Sequence, residues 1–225
     1  MIRIESRPDA ISKPRAKEKQ AGGGSPSFGV FLQAASISSG SPKTDGTVTG
    51  GLAPSDALET VTLVDAEDNA IGSCDKITAH REGKLHRAFS ILITNPDGEL
   101  LLQRRAAHKY HFASRWSNAC CGHPRPGEST SAAARRRLAE ELGFTVPLTQ
   151  LAELSYCAED EISGLVEHEY LHVFHGLYAG EPCPNPDEVG AWRWMPSERI
   201  RRELATRPDW FTPWFALLAA MHAGD

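Results

Sequence analysis

Gly122-His123-Pro124-Arg125-Pro126-Gly127-Glu128-Ser129-Thr130-Ser131-Ala132-Ala133-Ala134-Arg135-Arg136-Arg137-Leu138-Ala139-Glu140-Glu141-Leu142-Gly143-Phe144 is the stretch whose spacing decides the fold. Its centre, Ser129 to Leu142, opens on hydroxyl side chains able to cap free backbone N–H groups. It contains no Gly or Pro and stops at Gly143, the residue type that most readily turns left-handed after a last helical turn. A helix between two loops is predicted. Glu140 and Glu141 follow Arg137 by three and four residues and share its face of that helix, where hard carboxylate oxygens can hold Mg²⁺ beside a diphosphate. Glu128 sits just before the helix, able to cap it or reach the same metal. A helix of Arg and Glu is usually only a solvated face. Two glycines at set distances from Glu128, Arg136, Leu138 and Phe144 make this pattern specific.

Working outward, β-type segments surround the helix. Glu59 to Asp65 is rich in β-formers and ends in a turn-prone run. Leu85–Thr94, the turn Asn95-Pro96-Asp97-Gly98 and Glu99–Arg104 read as a hairpin. Strands are also expected over Glu167–Leu177 and Val189–Trp194, and a closing helix over Trp214–Ala220. Strands on both sides of a helix indicate an α/β (α+β) class with a mixed sheet flanked by helices. Residues 1–55 are rich in Gly, Ser, Pro and Lys and bury too little apolar area to offset their ordering entropy, so a disordered low-complexity tail is expected before a domain at 56–225.

The 225 residues carry a formal net charge of −5, with 40% hydrophobic and 24% charged residues. That balance fits a globular protein and argues against a general nucleic-acid or membrane-surface binder. No run approaches the roughly 18 apolar residues of a membrane span, and no secretory leader pattern opens the chain. Five cysteines, including adjacent Cys120 and Cys121, do not look like a secreted disulfide framework, which points to a reducing cytoplasm.

The 122–144 spacing resembles the Nudix motif. One position departs from it: the hydrolases of that family have Glu directly after the helix arginine, where this chain has Arg137. Losing that ligand weakens the case for hydrolysis and suits a site that holds a diphosphate without cleaving it. A second resemblance is narrower. Ser117-Asn118-Ala119-Cys120-Cys121-Gly122-His123-Pro124, Gly127-Glu128-Ser129, Gly164-Leu165-Val166-Glu167-His168-Glu169 and Trp210-Phe211-Thr212-Pro213-Trp214 together look like the type I isopentenyl-diphosphate delta-isomerases, a Nudix-fold family.

That resemblance implies a reaction and a set of roles. The reaction is a 1,3-allylic proton shift between isopentenyl and dimethylallyl diphosphate, in isoprenoid precursor synthesis. A divalent metal, Mn²⁺ or Zn²⁺, is held by His80, His86, His123, Glu167 and Glu169. Mg²⁺ is held with the diphosphate by Glu141 and the carbonyl of Cys121. Cys121 and Glu169 are the proton-transfer groups, with the acid and base roles left open. Tyr156 stands beside the glutamate, and Trp214 is the candidate for stabilising a carbocation, with core packing as its plain alternative. Lys76, Arg105, Lys109 and Arg137 contact the diphosphate, while Arg104 faces solvent. Cys74, Cys120, Cys157 and Cys183 are structural. His108, His111, His168, His172, His175 and His222 match no role. The expected partner is the small-molecule substrate, with no nucleic acid or membrane, in a monomer or weak dimer. The rivals are a Nudix diphosphohydrolase and a non-catalytic diphosphate-binding module.

Overall fold

The protein is described by a computed structural model covering residues 2–5 and 59–222. The expected tail, 1–55, lies outside those residues except for β1 (Ile2–Glu5), a strand that runs antiparallel to Ser155–Ala158. The next elements are β2 (Thr60–Val64), β3 (Ala70–Asp75), α1 (Lys76–Glu82), β4 (His86–Thr94), β5 (Leu100–Arg105), β6 (Trp116–Ser117) and β7 (Cys120–Gly122). They continue with α2 (Thr130–Leu142), β8 (Thr149–Glu159), β9 (Val166–Leu177), β10 (Val189–Met195), α3 (Ser197–Thr206) and α4 (Pro213–His222).

The main sheet has the order β1-β8-β9-β4-β2-β3. Its centre is β4, which pairs parallel with β9 along its whole length and antiparallel with β2 and β7 on its other edge. A strand covered on both faces should read as a continuous apolar run, and β4 does. Phe89, Ile91 and Ile93 pack with Ala133, Ala134, Leu138 and Leu142 of α2 on one face. Ala88 and Leu92 pack with Trp214, Phe215 and Leu218 of α4 on the other. Each large side chain so buried is worth roughly 1.5–3 kcal/mol. Ser90 falls on the α4 face, a polar interruption in that run, and it faces Cys121.

The hairpin expectation is corrected in part. The turn forms, with Gly98 N–H donating to the Asn95 carbonyl, but the two strands share only the pair Thr94↔Leu100. They then diverge, because β7 and β2 occupy the β4 edge that a hairpin partner would need, while β5 pairs with β10 and β6. The helix expectation holds: Ser129 Oγ accepts from Ala132 N–H at 3.3 Å, and Gly143 takes φ 75°. Gly143 also has no room for a side chain, since a Cβ there would lie 2.6 Å from the Cys183 carbonyl oxygen.

Candidate active site

Three neighbouring strands set the first row of functional groups. Tyr156 on β8 and His86 on β4 both stand in Cα register with Glu169 on β9. Two residues back along β9, Glu167 points to the same side, as strand alternation requires. His80 enters from α1, which is capped by Asp75 accepting from Thr78 N–H at 2.8 Å and closed by Gly83 at φ 62°. His123 comes directly after β7.

The donor atoms of His80, His86, His123 and Glu167 all lie within 4.8 Å of one another. Glu169 Oε1 is 3.1 Å from His123 Nε2 and 4.0 Å from His86 Nε2. Two of the imidazoles have their tautomers set from behind. His80 Nδ1 lies 2.6 Å from the Lys76 carbonyl and His86 Nδ1 lies 2.8 Å from that of Lys84. A carbonyl only accepts, so in the neutral rings each Nδ1 carries the proton and each Nε2 turns a lone pair into the cluster. There His86 Nε2 meets His123 Nε2 at 3.2 Å, and His80 Nε2 meets Glu167 Oε2 at 3.1 Å. The lone pairs that neutral His80 and His86 turn inward, beside the carboxylates of Glu167 and Glu169, fit a divalent cation, and imidazoles with carboxylates suit Zn²⁺ or Mn²⁺.

The electrostatics agree. Burial and the neighbouring histidines hold His123 well below its ordinary pKa, and burial and His80 bring His86 down to about 4, so both stay neutral at pH 7. Burial also opposes charge on His80, but Glu167 more than compensates and raises it. Burial works against ionised Glu167 too, and His80 and His111 hold it well below the usual carboxylate range. Glu169 moves the other way: burial and then the charge of Glu167 push it well up. Tyr156 O–H donates to Glu169 Oε2 at 2.7 Å.

Cys121 lies beside this row because β7 pairs with β4 at Ser90. Its thiol donates to Asn118 Oδ1 at 3.1 Å and meets Ser90 Oγ at 3.3 Å. Burial pushes it up to about 12, so the thiol keeps its proton at neutral pH. Asn118 Oδ1 also accepts from Ser117 Oγ at 3.0 Å, and Ser117 Oγ accepts from Trp214 Nε1–H at 2.9 Å. One buried network therefore runs from the indole to the thiol. Cys120, its neighbour, points away into the α2 core and is fully buried.

A cleft of about 570 Å³ opens over these groups, and cationic side chains are among its lining. Lys76, Arg105, Lys109 and Arg137 all line it, as do Cys121, Glu141 and Trp214. The cations are not bare. Lys76 Nζ pairs with Glu59 at 2.7 Å, Lys109 with Glu188, and Arg137 with Glu141 at 2.7 Å and Glu188 at 3.2 Å. Arg105 reaches the His111 carbonyl at 3.3 Å, and its buried Nε has no hydrogen-bond partner among the described residues, a donor left for an anion. Glu141 Oε2 accepts from Gln103 Nε2 at 2.9 Å. Glu128 instead pairs with Arg136 at 2.8 Å and accepts from Arg125 N–H, bracing the loop rather than joining the metal donors. Arg104 is exposed, as its alternation with Arg105 requires.

Sequence reasoning missed three groups. Glu188 precedes β10 with no motif around it. Gln103 lies in the apolar run of β5, where a buried amide is itself the signal. His111 is 7% exposed and its Nε2 contacts Glu167 Oε1. By contrast His168 binds the Gly83 carbonyl and His175 binds Thr94, both away from the cleft, and His108 is exposed.

The NUDIX domain model matches residues 84–215. Isopentenyl-diphosphate Delta-isomerase of Halorhodospira halophila is 50% identical over 163 residues, covering 72% of this chain and 93% of that protein. The enzyme of the same name from Serratia proteamaculans is 50% identical over 158 residues, covering 70% and 87%. Among solved structures, a Deinococcus radiodurans protein superposes with a TM-score of 0.56 at 22% identity, covering 66% of this chain and 90% of that one. The MutT protein of Methanosarcina mazei gives 0.51 at 20%, covering 62% and 93%.

Proposed function

We propose, from the premise that this chain belongs to the Nudix family and within it to the isopentenyl-diphosphate Delta-isomerases, that Cys121 and Glu169 are the two proton-transfer groups of its isomerisation. The reaction moves one double bond and leaves the diphosphate intact. A proton joins the terminal methylene carbon, positive charge falls on the tertiary carbon, and a proton leaves the methylene next to the CH₂–O carbon. An unactivated alkene demands an acid and a base placed on it together, in a site closed to water.

The observation that carries this reading is the row Tyr156, Glu169, His86 across β8, β9 and β4, with Cys121 set beside it at Ser90. Cys121 is a proton donor held in its thiol form. Glu169 is steadied by Tyr156, whose phenol also supplies a relay to the carboxyl. His80, His86, His123, Glu167 and Glu169 would hold a divalent Zn²⁺ or Mn²⁺, whose positive charge would favour the ionised form of Glu169. Glu141 and the carbonyl of Cys121 are the ligands assigned to Mg²⁺, which neutralises diphosphate charge. Arg137, which pairs with Glu141 and Glu188 at the cleft, would offer its fork to the diphosphate once Mg²⁺ drew on those carboxylates, and Arg105, Lys109 and Lys76 would complete the cradle. The Trp214 indole offers its face to the tertiary cation, with its N–H held by Ser117.

Incubating the purified protein with isopentenyl diphosphate, Mg²⁺ and Zn²⁺ or Mn²⁺ in D₂O tests the reading by NMR. Dimethylallyl diphosphate carrying deuterium is expected. Phosphate release with neither allylic product nor exchange would replace the isomerase by a hydrolase.

A further inference from the structure

His111 has no part in the proton transfer proposed above, yet it contacts Glu167 and packs against His80 with ring centroids 5.7 Å apart. Glu167 is bracketed by two imidazoles, one to each oxygen: His80 Nε2 faces Oε2 and His111 Nε2 contacts Oε1. The two rings are of opposite kinds. In the neutral form that can bind a metal, His80 carries its proton on Nδ1, donated to the Lys76 carbonyl, so its Nε2 is a lone pair. The Nδ1 of His111 is buried with no hydrogen-bond partner among the described residues, so nothing behind the ring holds a proton there. Its proton belongs on Nε2, where Glu167 accepts it. A nitrogen that donates to a ligand's carboxylate is not free to bind the metal and instead sets the ligand's orientation.

The backbone around His111 is held as firmly as the ring. The His111 carbonyl accepts from Arg105, and the next N–H, that of Phe112, donates to buried Asp160 at 3.2 Å. Phe112 has φ 47°, a conformation side-chain-bearing residues rarely adopt. That turn lets two consecutive side chains face inward, His111 onto Glu167 and Phe112 edge-on to Trp214 with centroids 5.2 Å apart. Backbone strain of this kind persists only where the surroundings enforce it.

We propose that His111 is a positioning residue of the metal centre: by donating from Nε2 to Oε1 of Glu167, it reserves Oε2 as the oxygen presented beside His80. This rests on the reading of His80, His86, His123, Glu167 and Glu169 as metal ligands. A single assigned oxygen means a carboxylate that does not rotate between one- and two-oxygen coordination.

The test is Zn²⁺ affinity of the full chain, measured by chelator competition, in the wild type and in His111→Ala, His111→Gln and His111→Asn. Removing such an orienting partner typically weakens metal binding 10–100-fold, and that loss is expected for His111→Ala. Gln places an amide N–H where Nε2 stood and Asn does not, so Gln should recover most of the affinity and Asn little. If His111→Ala does not fold, the Gln and Asn pair still decides the matter. Affinity within twofold of wild type in a folded His111→Ala, or equal affinities of Gln and Asn, overturns the proposal. So does X-ray absorption of the zinc-loaded protein showing one imidazole fewer in His111→Ala, which would make His111 a ligand. His80→Ala and Glu167→Ala serve as controls. If they too leave Zn²⁺ affinity unchanged, the metal-centre reading fails, whereas their loss with an unaffected His111→Ala sinks this inference alone.

Discussion

Two adjacent cysteines show how much one position along a strand decides. Cys121 and Cys120 leave β7 on opposite sides, one toward Ser90 and the cleft and the other into the α2 core. Cys121→Ala should therefore abolish isomerisation in the deuterium assay. Cys120→Ala should keep turnover and cost ~1 kcal/mol in urea unfolding for the lost core volume. Inactive Cys120→Ala beside active Cys121→Ala would reverse the assignment. At this scale the sequence was legible wherever a residue sat inside a motif, as Cys121, His123, Glu167 and Glu169 do. It was silent where one worked through a neighbour. His111 touches Glu167 across 56 positions of chain, and Glu188 reaches Arg137 across 51, and neither stands in a local pattern. The reading of the cations as diphosphate contacts gave no sign of the carboxylates beside them: Glu59 pairs with Lys76, Glu188 with Lys109, and Glu141 and Glu188 with Arg137.

Among the elements, α2 was predictable because its signals are local. Ser129 caps it, Gly143 ends it, and Ala133, Ala134 and Leu138 line one face. Gly143→Ala tests the ending. The left-handed φ and the 2.6 Å approach to the Cys183 carbonyl should together cost roughly 2 kcal/mol or more, read as a lower urea midpoint with unchanged slope. The loop before α2 gives a pH signature. Arg136 and the Arg125 N–H hold Glu128 down to about 2 against an ordinary 4.5. Its folded-state value is the lower one, so the stabilisation is complete above about pH 4.5 and is lost as pH falls toward 2. The pair is partly solvated, so Glu128→Gln should cost under about 1 kcal/mol at pH 7 and flatten the acid slope in that window. A Glu128→Gln protein with the wild-type acid profile would show that the pair carries no stability. Elements defined by distant partners were not legible. The hairpin turn was right and its ladder wrong, since β7 arrives from 26 residues beyond Thr94 to take the edge of β4. Helix α1 went unread although Asp75 and Gly83 bracket it, because seven residues show too little periodicity.

For the molecule as a whole, the sheet works as a divider between two cores, and the reactive groups occupy the α4 side near the ends of β8, β9 and β4. No helix among the described residues is long and apolar enough to cross a membrane. The residues that could hold a metal come from α1, β4, the segment after β7 and β9, so a bound cation would tie together parts that meet only in the folded chain. Zn²⁺ at about 100 times its Kd should add roughly 2.7 kcal/mol to unfolding free energy, and a chelator should remove it. An unfolding midpoint indifferent to chelator would contradict that coupling.

The parallel pairing of β4 with β9 also has a consequence in time. His86 and Glu169, 83 positions apart, face each other only after the chain between them has closed a loop, and parallel ladders of such separation form late because their entropy is lost before their contacts repay it. A cation that needs both residues is therefore expected to bind only after the folding barrier has been crossed. It should slow escape from the native state and leave the rate of reaching it untouched, so that in a stopped-flow chevron zinc lowers the unfolding arm alone.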